Sequence, residues 1–202
     1  MSRAEDDNKV EAPISEESWA TRGGVRLTLR AARAADQPGM RAFIDGLSRE
    51  SRYFRFLTGG NVADEIIKAF VSHGQGRDVA LVVTSSDADT GAETIVANAE
   101  YVVNDEDIAE LAVVVADDWQ GQGLGRRLIQ RLQQLARASC LRGMRGDVLS
   151  ENRRMLAIMR DSGFAARRNP DDSYLHEVSL VLPENRTPVR EHRMPRDWFA
   201  AA

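Results

Sequence analysis

A glycine-rich turn between a strand and a helix constrains this chain more than any other feature of its sequence. The run 109–115, apolar except for Glu110, predicts a strand, and leucines at helical spacing after Arg127 predict a helix. Gly121, Gly123 and Gly125 stand between the two elements, where glycine allows the backbone to approach a ligand closely. The first N–H groups of a helix lack intrahelical acceptors, and the helix dipole adds positive charge there. The turn therefore predicts an anion site, for which phosphate is a natural ligand.

Two common nucleotide-binding motifs do not fit this turn. A P-loop requires lysine followed by serine or threonine after its last glycine, whereas Arg126 follows Gly125 here. A dinucleotide-binding fingerprint requires G-x-G-x-x-G and an acidic residue about 20 positions later. The glycines have a different spacing here, and no acidic residue lies between Arg126 and Arg145. A turn with a purely structural role remains an alternative at this point.

The hydrophobic pattern along the rest of the chain predicts a mixed sheet with helices on its faces. Strands are predicted at 25–30, 78–85, 94–103, 109–115, 144–149 and 173–182, and helices at 36–47, 63–71, after the glycine turn and at 152–162. Alternation in the third of these strands predicts that Ile95 shares a face with Ala97, Ala99 and Tyr101. The element order β-α-α-β-β-β-α-β-α-β is typical of α/β (α+β) domains.

Composition predicts one globular domain between two polar segments. Of 202 residues, 43% are hydrophobic, which is enough for a sizeable core. Residues 1–24 are predicted to be a flexible acidic arm, 25–182 the domain, and 183–202 a tail rich in proline and arginine. The net charge of −4 does not indicate a nucleic-acid-binding surface.

The chain lacks cysteine pairs, long apolar segments and histidines at metal-ligand spacing, and these absences bear on its expected compartment and on metal binding. The single cysteine, Cys140, excludes an internal disulfide and suits a reducing compartment, so we expect a cytoplasmic protein. The apolar runs are too short to span a bilayer, and the N-terminus lacks the apolar segment of a signal peptide. His73, His176 and His192 have no metal-ligand spacing, so no metal is expected.

The segment 109–164 resembles the GNAT acyltransferase superfamily. That family carries Gln/Arg-x-x-Gly-x-Gly/Ala between a strand and a helix, and residues 120–125 match this pattern. The family also places an asparagine at the start of the next helix and ends that helix at Gly-Phe, as Asn152, Gly163 and Phe164 do here. The resemblance implies the GNAT fold, a mixed and mostly antiparallel central sheet with helices on both faces. The strands before and after the glycine-turn helix are splayed in this fold.

A closer resemblance concerns three segments, 46–56, 109–125 and 148–156, which are similar to the GNAT domains of bacterial protein-lysine acetyltransferases. It implies acetyl transfer from acetyl-CoA to a protein lysine by direct attack in a ternary complex. An acyl-CoA synthetase is one candidate partner. In such enzymes the domain can be fused to an acyl-CoA-synthetase-like or a cyclic-nucleotide-binding region, and this chain is too short for either. A small-amine acetyltransferase and a catalytically idle acyl-CoA sensor remain alternatives, and the oligomeric state stays open.

Direct attack requires a proton acceptor, and the strand before the turn carries a candidate. A lysine amine must lose a proton to a base or a water relay, and Glu110 is the predicted base, because a carboxylate among apolar neighbours suits base chemistry. An exposed glutamate without a catalytic role is the alternative interpretation. Glu100 and Glu151 are further candidates for the base.

The resemblance assigns coenzyme A to the strand backbone and the glycine turn. The predicted cofactor-binding residues are Leu111, Val113, Val115, Gln120, Gly121, Gln122, Gly123, Leu124, Gly125, Arg126, Arg127, Asn152 and Met155. A backbone N–H near Val113 is expected to polarise the thioester carbonyl, and the two arginines to add positive charge. Asn152 has an alternative role as a helix N-cap. Met159 stands where many GNAT enzymes have a tyrosine that protonates the leaving thiolate, and methionine cannot donate a proton.

Overall fold

The structure is a computed structural model that describes residues 14–72, 77–87 and 90–183. Its strands are β1 (Glu17–Ala20), β2 (Arg26–Ala31), β3 (Val79–Ser86), β4 (Glu93–Val103), β5 (Ile108–Val115), β6 (Gly143–Leu149), β7 (Ala165–Arg168) and β8 (Leu175–Val181). Its α-helices are α1 (Gln37–Gly46), α2 (Arg49–Phe56), α3 (Asp64–Ser72), α4 (Leu124–Ala138) and α5 (Arg153–Asp161). All six predicted strands and all four predicted helices are present.

The eight strands form one sheet in the order β1-β2-β3-β4-β5-β6-β8-β7. Every described neighbour pair is antiparallel except β5 and β6. These two strands pair only where Ile108, Ala109 and Glu110 face 143–145, and beyond that point they separate. The mostly antiparallel sheet and its splay between β5 and β6 are therefore confirmed.

Helices cover both faces of the sheet, as predicted. On one face, α4 and α5 pack through Leu128, Leu132 and Leu156 against strand residues such as Tyr101. On the other face, α1 and α3 form a smaller core around Met40 and other apolar side chains, among them Ile44, Ile67 and Phe70. Both cores bury apolar side chains at helical or alternating spacing, which is the main stabilising term for such a layered fold.

A bulge corrects the predicted facing of Ile95. The pairing of β3 with β4 shifts between Val83 and Thr84, so that Val83 faces Ala97 whereas Thr84 faces Ile95. The extra residue, Val96, takes the place that strict alternation assigns to Ile95. Ile95 consequently packs in the core beneath α1 rather than with Tyr101.

The sequence does not predict three elements, β1, α2 and β7. β1 pairs with β2 and lies inside the segment predicted as a flexible arm, so the sheet begins before residue 25. α2 follows an N-cap at Ser48, whose hydroxyl accepts from the Ser51 N–H at 3.1 Å. The strands β1 and β7 have four residues each, which is too short for a clear periodic signal. His73, His192 and most of the predicted tail lie outside the described residues.

None of the described helices has both the length and the apolar character needed to span a bilayer. The cytoplasmic location stays a prediction.

Candidate active site

A cavity of about 740 Å³ opens where β5 and β6 separate. The glycine turn, both separated strands, α5 and α2 contribute to its walls. Most of the predicted cofactor-binding residues line this cavity, namely Leu111, Val113, Val115, Gln120, Gly121, Gly123, Leu124, Gly125, Arg126, Asn152 and Met155. Among the described residues, Glu110, Gln122 and Arg127 were predicted at the site but do not line the cavity. The separated strands therefore create a passage that contacts the glycine turn.

The glycine turn leaves the start of α4 open. Gly121 and Gly123 have φ values of 80° and 86°, a region that side chains with a Cβ atom disfavour. Gly123 is the N-cap residue, no described side chain caps the helix, and the first helical bond runs from Arg127 N–H to its carbonyl at 3.1 Å. The N–H groups of 124–126 therefore have no helical acceptor. This geometry suits the diphosphate of coenzyme A.

The side chain of Gln120 holds the turn in place. Its Nε2 donates to the Val115 carbonyl and to the Ser51 hydroxyl, both at 3.1 Å. Its Oε1 accepts from Arg154 Nη1 at 3.0 Å. Gln120 thus connects β5, α2 and α5 around the turn, a role that the sequence does not predict. Gln120 also lines the cavity.

A second hydrogen-bond network attaches α2 to the segment between β5 and the glycine turn. Asp117 accepts from the Ser48 N–H, the Ser48 hydroxyl and the Ser51 hydroxyl, each at 2.8 Å. Partial burial opposes the negative charge, but these hydrogen bonds outweigh burial and lower the pKa of Asp117. The wall that α2 contributes is therefore connected directly to the glycine turn.

Two adjacent arginines at the start of α4 point to different places. Arg126 lines the cavity and pairs with Asp161 at 2.5 Å, both side chains being more than half exposed. The Arg127 guanidinium lies 3.8 Å from the centre of the Trp19 ring and 3.2 Å from Glu17. The Arg127 side chain, which was predicted at the cofactor site, instead fastens β1 to α4. It does so because β1 supplies both an aromatic face and a counter-charge. The Gln122 side chain also turns away, donating to the Asp118 carbonyl at 3.1 Å.

The start of α5 forms the opposite wall of the cavity. Asn152 accepts from the Met155 N–H at 3.0 Å, so its carbonyl oxygen acts as the helix N-cap. The N-cap interpretation is therefore confirmed, and the contact of Asn152 with coenzyme A stays a prediction. Met159 lines the cavity and is buried. Among the described residues, no tyrosine lines the cavity.

The predicted base Glu110 lies at the point where the two strands separate. Its side chain is 50% exposed and forms an ion pair with Arg145, the residue that faces it on β6. The expected apolar surroundings of this carboxylate are therefore not found. An ion pair with this exposure is weak, about 0–1 kcal/mol, so a bound cation could replace Arg145.

A carboxylate that the sequence does not single out, Asp147, lines the cavity on β6. It lies two residues beyond Arg145 and therefore on the same face as Glu110. Partial burial, followed by the charge of the facing residue Glu177, raises the pKa of Asp147. The acidic residue within the predicted strand 144–149, which otherwise holds one arginine, one glycine and apolar residues, is the sequence signal that could have identified it.

The other candidate bases have different surroundings. Glu100 on β4 is buried and pairs with Arg55 of α2 at 2.5 Å. Among the described residues, Arg55 lines the cavity and Glu100 does not, so the arginine is the member of the pair that a ligand would meet. Burial lowers the pKa of Arg55, and the charge of Glu100 opposes that shift. Glu151 lines the cavity beside Asn152.

Within residues 14–72, 77–87 and 90–183, no group of three histidine, cysteine, aspartate or glutamate side chains is arranged to hold a metal ion. The groups that line the cavity include backbone N–H groups, carboxylates and arginines.

Comparison with known proteins agrees with this geometry. The profile of the Acetyltransferase (GNAT) family matches residues 51–164. The acetyltransferase PA5475 of Pseudomonas aeruginosa is 30% identical over 163 residues, which cover 78% of this chain and 86% of that protein.

Solved structures show the same fold. The GNAT domain of S. lividans PAT superposes with a TM-score of 0.71 at 22% identity, covering 83% of this chain and 97% of that domain. The yncA structure from Salmonella typhimurium, which contains its cofactor acetyl-CoA, superposes with a TM-score of 0.59 at 21% identity, covering 80% and 97% of the two chains. The family match extends from α2 through the glycine turn to the end of α5. The chain therefore belongs to the GNAT acetyltransferase family and is an acyl-CoA-dependent N-acyltransferase with acetyl-CoA as the acyl donor.

Proposed function

We propose that the chain acetylates the side-chain amine of a lysine in a polypeptide, by direct attack in a ternary complex. The observation that carries this proposal is the cavity between β5 and β6, which contacts the glycine turn and α2 within one space. Donor and acceptor can meet there without a covalent acyl-enzyme. The resemblance of 46–56, which includes all of α2, to protein-lysine acetyltransferases supports a polypeptide acceptor.

The protein would hold the acyl donor mainly through its backbone. The free N–H groups of 124–126 would bind the diphosphate, and Arg126 would add a positive charge at the cavity wall. Beyond Glu110 the edge of β5 no longer pairs with β6, so its polar groups near Val113 are available to the pantetheine amides and the thioester carbonyl. When bound, acetyl-CoA supplies a thioester whose C–S bond breaks as the amine forms a C–N bond to the acetyl carbon.

Two carboxylates would act on the acceptor amine, one by attracting its ammonium form and the other by accepting its proton. A lysine with pKa about 10.4 must be deprotonated at a cost of about 4.6 kcal/mol at pH 7. Asp147 lines the cavity and would attract the ammonium form. Glu110 lies where the strands separate, and we propose that it accepts the proton once the amine replaces Arg145 as its partner. The leaving thiolate is protonated from water, because Met159 has no proton to donate.

The first experiment measures CoA release with acetyl-CoA and three classes of acceptor, which are lysine-containing polypeptides, polyamines and free amino acids. We expect release with the polypeptides and an acetyl group on a lysine Nζ, detected by mass spectrometry. Release with small amines only would replace the proposal by the small-amine alternative. Binding of acetyl-CoA without release for any acceptor would indicate the sensor.

A second experiment tests the donor site separately. In Gly125→Ala the new Cβ would meet only Ile158 Cδ1, at 3.9 Å, which is an ordinary contact. Alanine also favours the helix by about 0.5–1 kcal/mol, so the fold should be retained. We expect the new methyl group to hinder the close approach of the diphosphate to the backbone. The Kd of acetyl-CoA, measured by calorimetry, should then rise about tenfold, which corresponds to about 1.4 kcal/mol of binding free energy. Gly46→Ala is the control, since its Cβ would meet nothing within 4 Å and this residue lies outside the lining. An unchanged Kd for Gly125→Ala would contradict the proposed diphosphate site.

A further inference from the structure

The end of α2 presents a buried arginine to the cavity, and acyl transfer as described above does not use it. Arg55 belongs to the run 51–56, Ser-Arg-Tyr-Phe-Arg-Phe, which is part of the resemblance to protein-lysine acetyltransferases. Its side chain is only 14% exposed, and it lines the cavity. The guanidinium carbon lies 4.9 Å from the centre of the Phe56 ring and 5.0 Å from that of Phe70. Two aromatic rings therefore hold the cation in one place.

Among the described residues, most of the hydrogen-bonding capacity of Arg55 is unused. A guanidinium has five N–H donors, and within the described part of the chain only Nη2 is engaged, donating to Glu100 at 2.5 Å. Nε is buried and has no partner among the described residues. Nη1 likewise donates to no described residue, and it belongs to a side chain that lines the cavity. A purely structural ion pair with Glu100 would not require these additional donors, since lysine could supply the same charge.

The charge of Glu100 beside Arg55, together with carboxylates elsewhere in the cavity wall, favours a neutral oxygen over a carboxylate as the acceptor for these donors. Glu100 already neutralises the guanidinium, so a carboxylate of the ligand would place a second negative charge on a compensated cation. Glu50 of α2 and Asp147 also line the cavity, and both would repel a carboxylate and attract an ammonium ion. A neutral carbonyl oxygen attached to an amine-bearing chain satisfies both conditions.

We propose that Arg55 is a specificity-determining residue that donates a hydrogen bond to a neutral carbonyl oxygen of the acceptor, as offered by the main chain of a lysine within a polypeptide. This inference rests on the proposed function and narrows it, because amines without such a carbonyl lose the contact. Glu100 acts through Arg55 as a positioning residue. Sheet pairing places Glu100 opposite Ala112, which lines the cavity, so the guanidinium lies beside the passage rather than at the rim of the molecule.

Three acceptors of equal chain length test the proposal. Hexylamine has no oxygen, 6-aminohexanamide has a neutral carbonyl at the same spacing from the amine as in a lysine residue, and 6-aminohexanoate has a carboxylate there. We expect kcat/KM to be about tenfold higher for the amide than for hexylamine, the size of one hydrogen bond to a charged donor. The carboxylate should rank no higher than hexylamine. With CoA in place of acetyl-CoA, when no turnover occurs, the amide is expected to have the lowest Kd of the three amines.

Arg55→Lys is the decisive variant, because lysine keeps the charge beside Glu100 and loses the planar set of donors. The amide-to-hexylamine ratio should fall to near one in this variant. Arg52→Lys is the matched control, since Arg52 lies on the same helix, donates to the Asp45 carbonyl at 3.1 Å and is not part of the lining among the described residues. Its ratio should equal that of the natural chain.

The outcomes separate the two claims. Equal use of amide and hexylamine, a preference for the carboxylate, or an unchanged ratio in Arg55→Lys would each overturn the role of Arg55 while leaving acetyl transfer intact. If neither these amines nor lysine-containing polypeptides release CoA, the proposed function fails and this inference fails with it. Thermal unfolding of each variant shows whether a lost preference reflects a lost fold.

Discussion

The glycine turn and the α2 wall of the same cavity are built in different ways. The turn uses main-chain groups within one continuous stretch, with Gly121 and Gly123 in a backbone region that favours glycine. The α2 wall depends on side chains from distant parts of the chain, such as Arg55 of α2 and Glu100 of β4. If the turn is the donor site and the α2 wall the acceptor site, as proposed above, a donor site made of backbone can be common to a whole family, whereas an acceptor site made of side chains can differ between its members.

The largest expected effect concerns stability at the α2 wall. Glu100→Met would leave the Arg55 cation buried without its counter-charge, and we expect the free energy of unfolding in urea to fall by about 3–5 kcal/mol. Replacing both residues by methionine should restore most of this loss, because an apolar pair avoids desolvating charges. If Glu100→Met unfolds at the same urea concentration as the natural chain, the ion pair does not organise this wall and the comparison fails.

The next effect concerns the proton at the junction of the two strands. We expect Glu110→Gln to lower kcat/KM about 100-fold, the usual scale for a lost general base. Asp147→Asn should lower kcat/KM about tenfold, mainly by raising the KM of the acceptor, because one interaction with a charged group is lost.

The pH dependence adds a separate test of Asp147. Because the pKa of Asp147 is raised, its attraction for the amine should be lost, as pH falls, at a higher pH than for an ordinary aspartate with pKa about 3.9. If kcat/KM falls further in Asp147→Asn than in Glu110→Gln, Asp147 on β6 rather than Glu110 accepts the proton.

The smallest effect concerns the two arginines next to the glycine turn. Arg126→Ala should raise the Kd of acetyl-CoA about threefold at low salt, less at high salt, because the side chain is exposed. Arg127→Ala should leave that Kd unchanged and lower thermal stability slightly, because its cation–π contact is with Trp19. Equal effects of both variants on the Kd would show that the side chains of the turn matter as much as its backbone.

The sequence predicts the turn more completely than the α2 wall for a physical reason. Strand, glycine turn and helix are local patterns, so the open N–H groups and the cap at Asn152 follow from neighbouring residues. The destination of Arg127 depends on β1, whose four residues carry too weak a pattern to be recognised. Likewise, the pairing of Arg55 with Glu100 joins residues 45 positions apart, which no local rule connects.

The fastening of β1 has a practical consequence for anyone who shortens this protein. A version starting at residue 25 would remove the strand that covers the outer edge of β2, together with the Trp19 ring that shields Arg127. The uncovered edge of β2 would offer free main-chain groups to a second molecule, which is a common origin of self-association in sheet proteins. If such a shortened form precipitates, the cause would therefore be the missing edge strand β1 and not damage to the active site.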